Sequence, residues 1–294
     1  MYRELTKKDI SWAVEMLRRI NRSAQELFQK AVLDGTIVKA HIYEYDNNIG
    51  IVSVLQGEDY YSVQVSFRED VYRYDVIYEL EQEIRQVLSV EGSRDVYLNV
   101  NGYNVILCNA LMNLGFVRDA LGFEFVLQKA EAEIERYEAV QRTGELIIRR
   151  YQEEYAWNYL CLLDDAFRQQ NTVCGQEQDV YKNVYAEYQK SKMKQADEDG
   201  DFFAFWRNEE LIGLCIFTGN YMDIIAVAPK FEGKGFGSEM LKCCIQDRWN
   251  VKEYSEVYLH TYLQNRRAQS LYLKYGFKLQ GFYSENTFVE KLMF

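Results

Sequence analysis

The chain has 294 residues, enough for two domains or one large one, and carries 34 basic against 45 acidic side chains, a net charge of −11. With no clustered Lys/Arg and no run of 18 apolar residues, it is expected to bind neither a nucleic acid nor a membrane. The six cysteines form no CxxC pair and His41 and His260 are its two histidines, so neither disulfide staples nor a multi-histidine zinc site is expected.

The N-terminal MYRELTKKDI has no apolar signal core, and the expected location is the cytoplasm. AHIYEYDNNIGIVSV (40–54) places polar residues between two apolar runs, a strand–turn–strand pattern. The aromatic-rich stretch 59–78 reads either as the lining of a pocket between domains or, as is usual for aromatic strand residues, as core, and FEFVLQ (123–128) reads as a strand. A domain boundary is expected in the charged stretch 129–144. ELIIRR (145–150) reads as a short strand, and 151–169 as a helix, with Tyr155, Tyr159, Leu162 and Phe167 near helical spacing. Residues 171–200 are polar and helical in propensity. Strands follow at 202–206, 211–218 and Tyr221–Val227, with Gly219-Asn220 as a hairpin turn. Pro229 ends the last of these, because it cannot donate to a ladder. The loop EGKGFG (232–237) leads into the helix SEMLKCCIQDRW. The strand VYLHTY and the helix RRAQSLYLKY follow, closed by Gly276 as a C-terminal cap. Strands alternating with helices predict a mixed α/β sheet.

The chain also repeats itself. Val96-Tyr97-Leu98 recurs as Val257-Tyr258-Leu259, Asn104 as Asn265, and Gly115-Phe116 as Gly276-Phe277, all at an offset of 161. Gly50 against Gly213 gives 163, so a small length difference lies upstream. Two copies of one α/β domain are therefore expected, over 1–130 and 144–294.

The most telling segment is Ile225-Ala226-Val227-Ala228-Pro229-Lys230-Phe231-Glu232-Gly233-Lys234-Gly235-Phe236-Gly237-Ser238. A strand runs into a glycine-rich turn that opens a helix. Such a turn aims several backbone N–H groups at one point, where the helix N-terminus adds partial positive charge. Glycines let an anion approach the backbone. The spacing matches neither GxxxxGK[ST] nor GxGxxG.

These residues resemble the GNAT superfamily of N-acetyltransferases, whose acetyl-CoA loop reads [RQ]xxGx[GA] after a strand ending in VxP. Asn265…Ala268…Leu271-Tyr272…Gly276-Phe277 resembles the second signature of that family, in the right order and at the expected separation. The resemblance covers about 145–294 directly, and 1–128 through the repeat. It implies two GNAT-type domains, each a mixed, mostly antiparallel sheet flanked by helices. It also implies transfer of an acetyl group from acetyl-CoA to a small-molecule or peptide amine, with no metal. The residues implied at the cofactor are Ile225, Val227, Glu232, Gly233, Lys234, Gly235, Phe236, Gly237, Ser238 and Asn265. Tyr272 is implied as the acid that protonates the departing thiolate, and Asp223 as the base, directly or through water. Two central strands are expected to splay apart beyond Ile225 and Val227.

Glu232 departs from the family pattern, which has Arg or Gln there. Either it points to solvent while backbone amides, Lys230 and Lys234 hold the anion, or it weakens CoA binding. The first copy reads Val71-Tyr72-Arg73-Tyr74-Asp75-Val76 at the loop and Leu111 at the position of Tyr272. It is expected to be degenerate, with Tyr72 and Tyr74 blocking close approach to the backbone. A non-catalytic acyl-CoA-binding module, or acyl transfer to a larger acceptor, remains open beside the amine acetyltransferase.

Overall fold

Apolar runs separated by polar turns over 37–67 and again over 202–227 build two matching meanders. The computed structural model describes residues 2–89, 95–137 and 146–289; part of the boundary expected at 129–144 lies outside them. The chain divides into two units, Met1–Glu124 with Leu279–Phe294, and Phe125–Lys278.

The first unit opens with β1 (Tyr2–Glu4), α1 (Ile10–Arg18) and α2 (Arg22–Asp34). It continues through β2 (Ile37–Tyr45), β3 (Asn48–Gln56), β4 (Tyr60–Phe67), α3 (Tyr74–Leu88), β5 (Asp95–Asn101), α4 (Val105–Met112) and β6 (Phe116–Gln128), the last of which runs on into the second unit. In the second unit β7 (Ile147–Arg149) precedes α5 (Ala156–Cys174), α6 (Val180–Asn183) and α7 (Ala186–Glu198). Then come β8 (Phe202–Arg207), β9 (Glu210–Thr218), β10 (Tyr221–Val227), α8 (Phe236–Asn250), β11 (Glu256–Tyr262) and α9 (Arg266–Lys274). The closing strand β12 (Lys278–Phe288) lies almost wholly in the first unit, where it pairs antiparallel with β5, Tyr283 opposite Asn101.

The order of strands is β1-β2-β3-β4-β5-β12 in the first unit and β11-β10-β9-β8-β7 in the second. All these neighbours are antiparallel except β4 with β5 and β10 with β11, which are parallel. The repeat is thus a repeat of topology: β4 and β10, β5 and β11, and α4 and α9 each begin 161 residues apart, while β3 and β9 begin 162 apart.

Period-2 burial sets the cores. Val52, Val54, Val63, Val65, Leu98 and Val100 face α3 and α4, while Ile51 and Leu55 face α1 and α2. In the second unit Phe202, Ala204, Trp206, Leu214 and Ile216 pack on α5 and α7. The helix expected over 151–169 runs on to Cys174, because nothing in Gln170–Cys174 interrupts it before Gly175 caps it at φ 68°. Arg248 of α8 is fully buried, ion-paired with Asp201 at 2.5 Å and Asp247 at 2.6 Å. It also donates to the carbonyl of Gly219 at 3.0 Å, fixing α8 against the turn that launches β10. All six cysteines are free thiols; Cys108, Cys215 and Cys244 are buried and the other three half-buried. Among the described residues no helix is long and apolar enough to cross a membrane.

Candidate active site

The site starts where a strand pair comes apart. In the first unit β4 and β5 stay in parallel register over six residues, from Tyr60–Asp95 to Val65–Val100. In the second unit β10 and β11 are in register only at Tyr221–Tyr258 and Met222–Leu259. The cause lies on the other edge of β10. Its pairing with β9 passes from Met222–Phe217 to Ile224–Ile216, leaving Asp223 as an extra, bulged residue. One extra residue bends a strand and sharpens its twist, and β10 leaves β11 there. The pairing of β3 with β4 has no such break, and its strands stay zipped. The expected splay is therefore present, but it opens at Asp223, two residues earlier than Ile225.

Beyond the gap, β10 ends in a single turn of 3-10 helix at Pro229–Phe231. Gly233 at φ 73° and Gly235 at φ 94° then reverse the chain, and α8 starts at Phe236. A Cβ on Gly235 would meet no atom within 4 Å. The backbone conformation, not crowding, demands glycine there. The first-turn amides of a helix lack intrahelical acceptors and carry its positive end, so this turn offers an anion a set of N–H donors. The first unit differs at this point. Arg73 precedes α3 with φ −79°, and the Asp75 carboxylate, hydrogen-bonded to Arg73, already occupies the first turn. Tyr72 and Tyr74, expected to block the loop, are 74% and 85% exposed. What the first unit lacks is the left-handed glycine turn and the strand gap.

Two cavities meet in the second unit. One, of about 600 Å³, is lined by Gln170, Asn171, Glu177, Tyr181, Asp223, His260, Thr261 and Tyr262, among others. The other, of about 410 Å³, is lined by Val227, Glu232, Gly233, Gly235, Gly237, Ser238 and Arg267, among others. They share Phe167, Gln170, Ile225, Asn265, Ala268 and Tyr272. The structure thus brings together both residues expected in catalysis and eight of the ten expected at the cofactor. Lys234 and Phe236 line neither cavity. The Lys234 ammonium lies 5.5 Å from the centre of the Phe231 ring, and Phe236 is buried edge-on against that ring.

Individual side chains are held as follows. Asn265 accepts from the Ala268 amide at 3.1 Å, capping α9, and donates to Gln170 at 3.0 Å while still facing both cavities. Tyr272 is 4% exposed, and its ring sits beside Phe125 and Phe277. Burial, with a smaller contribution from Cys215, pushes its hydroxyl well above the usual phenol range, so it stays protonated. Asp223 accepts from the Thr218 hydroxyl at 2.5 Å. His260 Nδ1 lies 3.3 Å from the Tyr221 hydroxyl. Partial desolvation lowers the pKa of the His260 ring, which stays open to solvent, against the opposing charge of Asp223.

At the loop, Glu232 does not simply face solvent: its carboxylate is ion-paired with Arg267 of α9. Lys230 is paired with Glu210 at 2.5 Å and lines neither cavity. Among the described residues no cluster of three or more His, Cys, Asp or Glu could hold a metal ion.

Several lining residues were not singled out from the sequence. Arg267 stands inside the second signature, but its partner is 35 positions away, and a contact between distant segments leaves no periodic trace. Glu177 and Tyr181 lie in a polar stretch with no spacing pattern. The signal that existed was their position directly beyond the helix that carries Phe167 and Gln170, Glu177 in the turn after α5 and Tyr181 in α6.

Comparison with known proteins finds likenesses to GNAT acetyltransferases. Residues 160–277 match the family model described as Acetyltransferase (GNAT) family. A spermine/spermidine N(1)-acetyltransferase of Bacillus subtilis (strain 168) is 31% identical over 75 residues, 24% of this chain and 49% of that protein. The chain spans about half the length of the curated relatives it matches. Among solved structures, a GCN5-related N-acetyltransferase from Sphaerobacter thermophilus aligns with TM-score 0.54 at 12% identity, covering 98% of this chain and 94% of that one. A tandem GNAT protein from the clavulanic acid biosynthesis pathway aligns with TM-score 0.50 at 12% identity, covering 98% and 97%. At these identities the structural likeness is one of fold alone.

Proposed function

We propose that this chain, which carries a GNAT domain at residues 160–277 within a tandem GNAT fold, transfers an acetyl group from acetyl-CoA to a cationic primary amine. The observation that carries the reading is the junction of the two cavities at Ile225 and Tyr272, where β10 has parted from β11 above a left-handed glycine turn. We assign the second copy (144–294) as catalytic and the first (1–130) as a degenerate partner without a cofactor loop.

The residues fit a CoA thioester. Gly233, Gly235, Gly237 and Ser238 would surround its phosphates with the N-terminal amides of α8. Ile225 and Val227 would border the pantetheine arm in the strand gap, with Asn265 on the far side. Bound there, acetyl-CoA supplies the activated acetyl carbon. Holding that carbon beside the amine gives the proximity contribution. A backbone N–H in Ile225–Val227, turned toward the gap, stabilises negative charge on the carbonyl oxygen. The new bond is N–C and the bond lost is C–S. The ammonium loses two protons, one before attack and one from the adduct, through water to Asp223 and to neutral His260 beside it. Tyr272 donates its proton to the leaving sulfur and recovers one of these, the other passing to solvent.

The acceptor class follows from charge. Among the described residues the larger cavity is lined by the carboxylates of Asp223 and Glu177 and by no Lys or Arg side chain, and the whole chain is acidic. Both favour a cationic amine, and the partial likeness to a spermine/spermidine acetyltransferase supports the same class. Thiol release from acetyl-CoA across a panel of amines tests the proposal. Binding of acetyl-CoA without turnover on any amine would favour the non-catalytic module.

A further inference from the structure

The phosphate side of the site contains a cation that the loop does not supply. Glu232, the first residue of the glycine loop, is ion-paired with Arg267 Nη1 from the first turn of α9. Both line the smaller cavity together with Gly233, Gly235, Gly237 and Ser238. Arg267 Nη2 lies 3.6 Å from where a Cβ on Gly233 would stand, so the guanidinium rests against the loop backbone. The loop lysines do not line this cavity: Lys230 pairs with Glu210 and Lys234 lies over Phe231. Arg267 and Lys274 are the cationic side chains of the cavity. In the first copy the position of Arg267 is taken by Ile106.

The pair is also poised to exchange. Its side chains are 62% and 40% exposed, and an ion pair open to water contributes little to stability. A guanidinium presents a planar fork that suits carboxylate and phosphate alike, and a phosphate brings more charge to the same donors. Glu232 therefore occupies the guanidinium until a stronger anion arrives.

Resting on the acetyl-CoA reading above, we propose that Arg267 is the phosphate-binding cation of this site, exchanging the Glu232 carboxylate for a phosphate of CoA. Glu232 then tunes cofactor affinity by competing for that guanidinium.

The test titrates wild type, Arg267→Ala, Arg267→Lys and Glu232→Gln with acetyl-CoA, its 3′-dephospho form and S-acetylpantetheine, which has no phosphate. Arg267→Ala is expected to weaken acetyl-CoA about tenfold, the scale of one charge-assisted contact, and to leave S-acetylpantetheine unchanged. Arg267→Lys restores part of the loss. Glu232→Gln tightens acetyl-CoA a few-fold at low salt, and less as salt rises. A penalty that vanishes with the dephospho ligand assigns the 3′-phosphate, and one that persists assigns the pyrophosphate; either supports the proposal. Equal losses on acetyl-CoA and S-acetylpantetheine, or unchanged acetyl-CoA affinity in Arg267→Ala, overturn it. If wild type binds none of the three thioesters, the acetyl-CoA reading itself fails.

Discussion

Met222 and Leu259 are the last residues of β10 and β11 held in register, and the next residue of β10, Asp223, is the bulge at which the strands separate. A single inserted residue thus does two things. It opens the sheet where a thioester would enter, and it puts a carboxylate at the rim of the opening. In the first unit β4 pairs unbroken with both β3 and β5, with neither this bulge nor the gap.

Tyr272 gives the sharpest test of the leaving-group step. Tyr272→Phe keeps the ring packed against Phe125 and Phe277 and removes one proton donor. Turnover should fall about a hundredfold, within the usual contribution of a general acid, while acetyl-CoA affinity changes by less than about twofold. Steady-state rates with a direct binding titration check this. Equal turnover removes Tyr272 from the mechanism.

Gly235 probes the anion cradle. At φ 94° with open space around its Cβ position, the cost of a side chain comes from backbone strain, about 1–3 kcal/mol. Gly235→Val should lower the melting temperature by a few degrees and abolish acetyl-CoA binding. Gly235→Asn, which tolerates the left-handed region better, should retain more of both. Thermal melts and titration of the two variants measure the difference, and identical behaviour would contradict the account of the turn.

The pH profile should separate the acid from the bases. Partial desolvation lowers His260 below the usual imidazole value of 6.5, so it is neutral at pH 7 and gains its proton only as pH falls. An acid limb of kcat/KM governed by His260 should therefore have a midpoint below 6.5, and His260→Asn should remove it. The Tyr272 hydroxyl is raised above its usual 10.0, so it does not lose its proton below pH 10. A rate that collapses between pH 8 and 9 would mean that another group is the acid.

Glu177 tests the charge argument for the acceptor. It lines the larger cavity with Asp223 but outside the strand gap. Glu177→Gln should raise KM for a dicationic amine by about three- to tenfold, the scale of one lost charge interaction near a protein surface, with little change for a monocation. Equal KM values for the dication would show that Glu177 does not face the bound amine.

Much of this was legible in the chain, for physical reasons. The glycine turn needs φ values that glycine alone adopts freely, and Asn265 caps a helix, so both leave fixed residue types at fixed spacing. The repeat was legible because each copy buries the same faces: Leu98 and Leu259, or Phe116 and Phe277, fill equivalent core positions. Other features leave no local mark. The pairing of Glu232 with Arg267 depends on how α9 packs beside the loop. No pattern within 278–288 tells that strand to pair with β5. Asp223 reads as an ordinary strand residue, and only its position opposite β9 reveals the bulge.

Amine acetylation is tested by following thiol release from acetyl-CoA while titrating cationic aliphatic amines, with the acetylated product counted by mass. Saturable, amine-dependent release of one thiol per amine acetylated is expected, with dications preferred. Saturable acetyl-CoA binding with no amine-dependent release across the panel would contradict it.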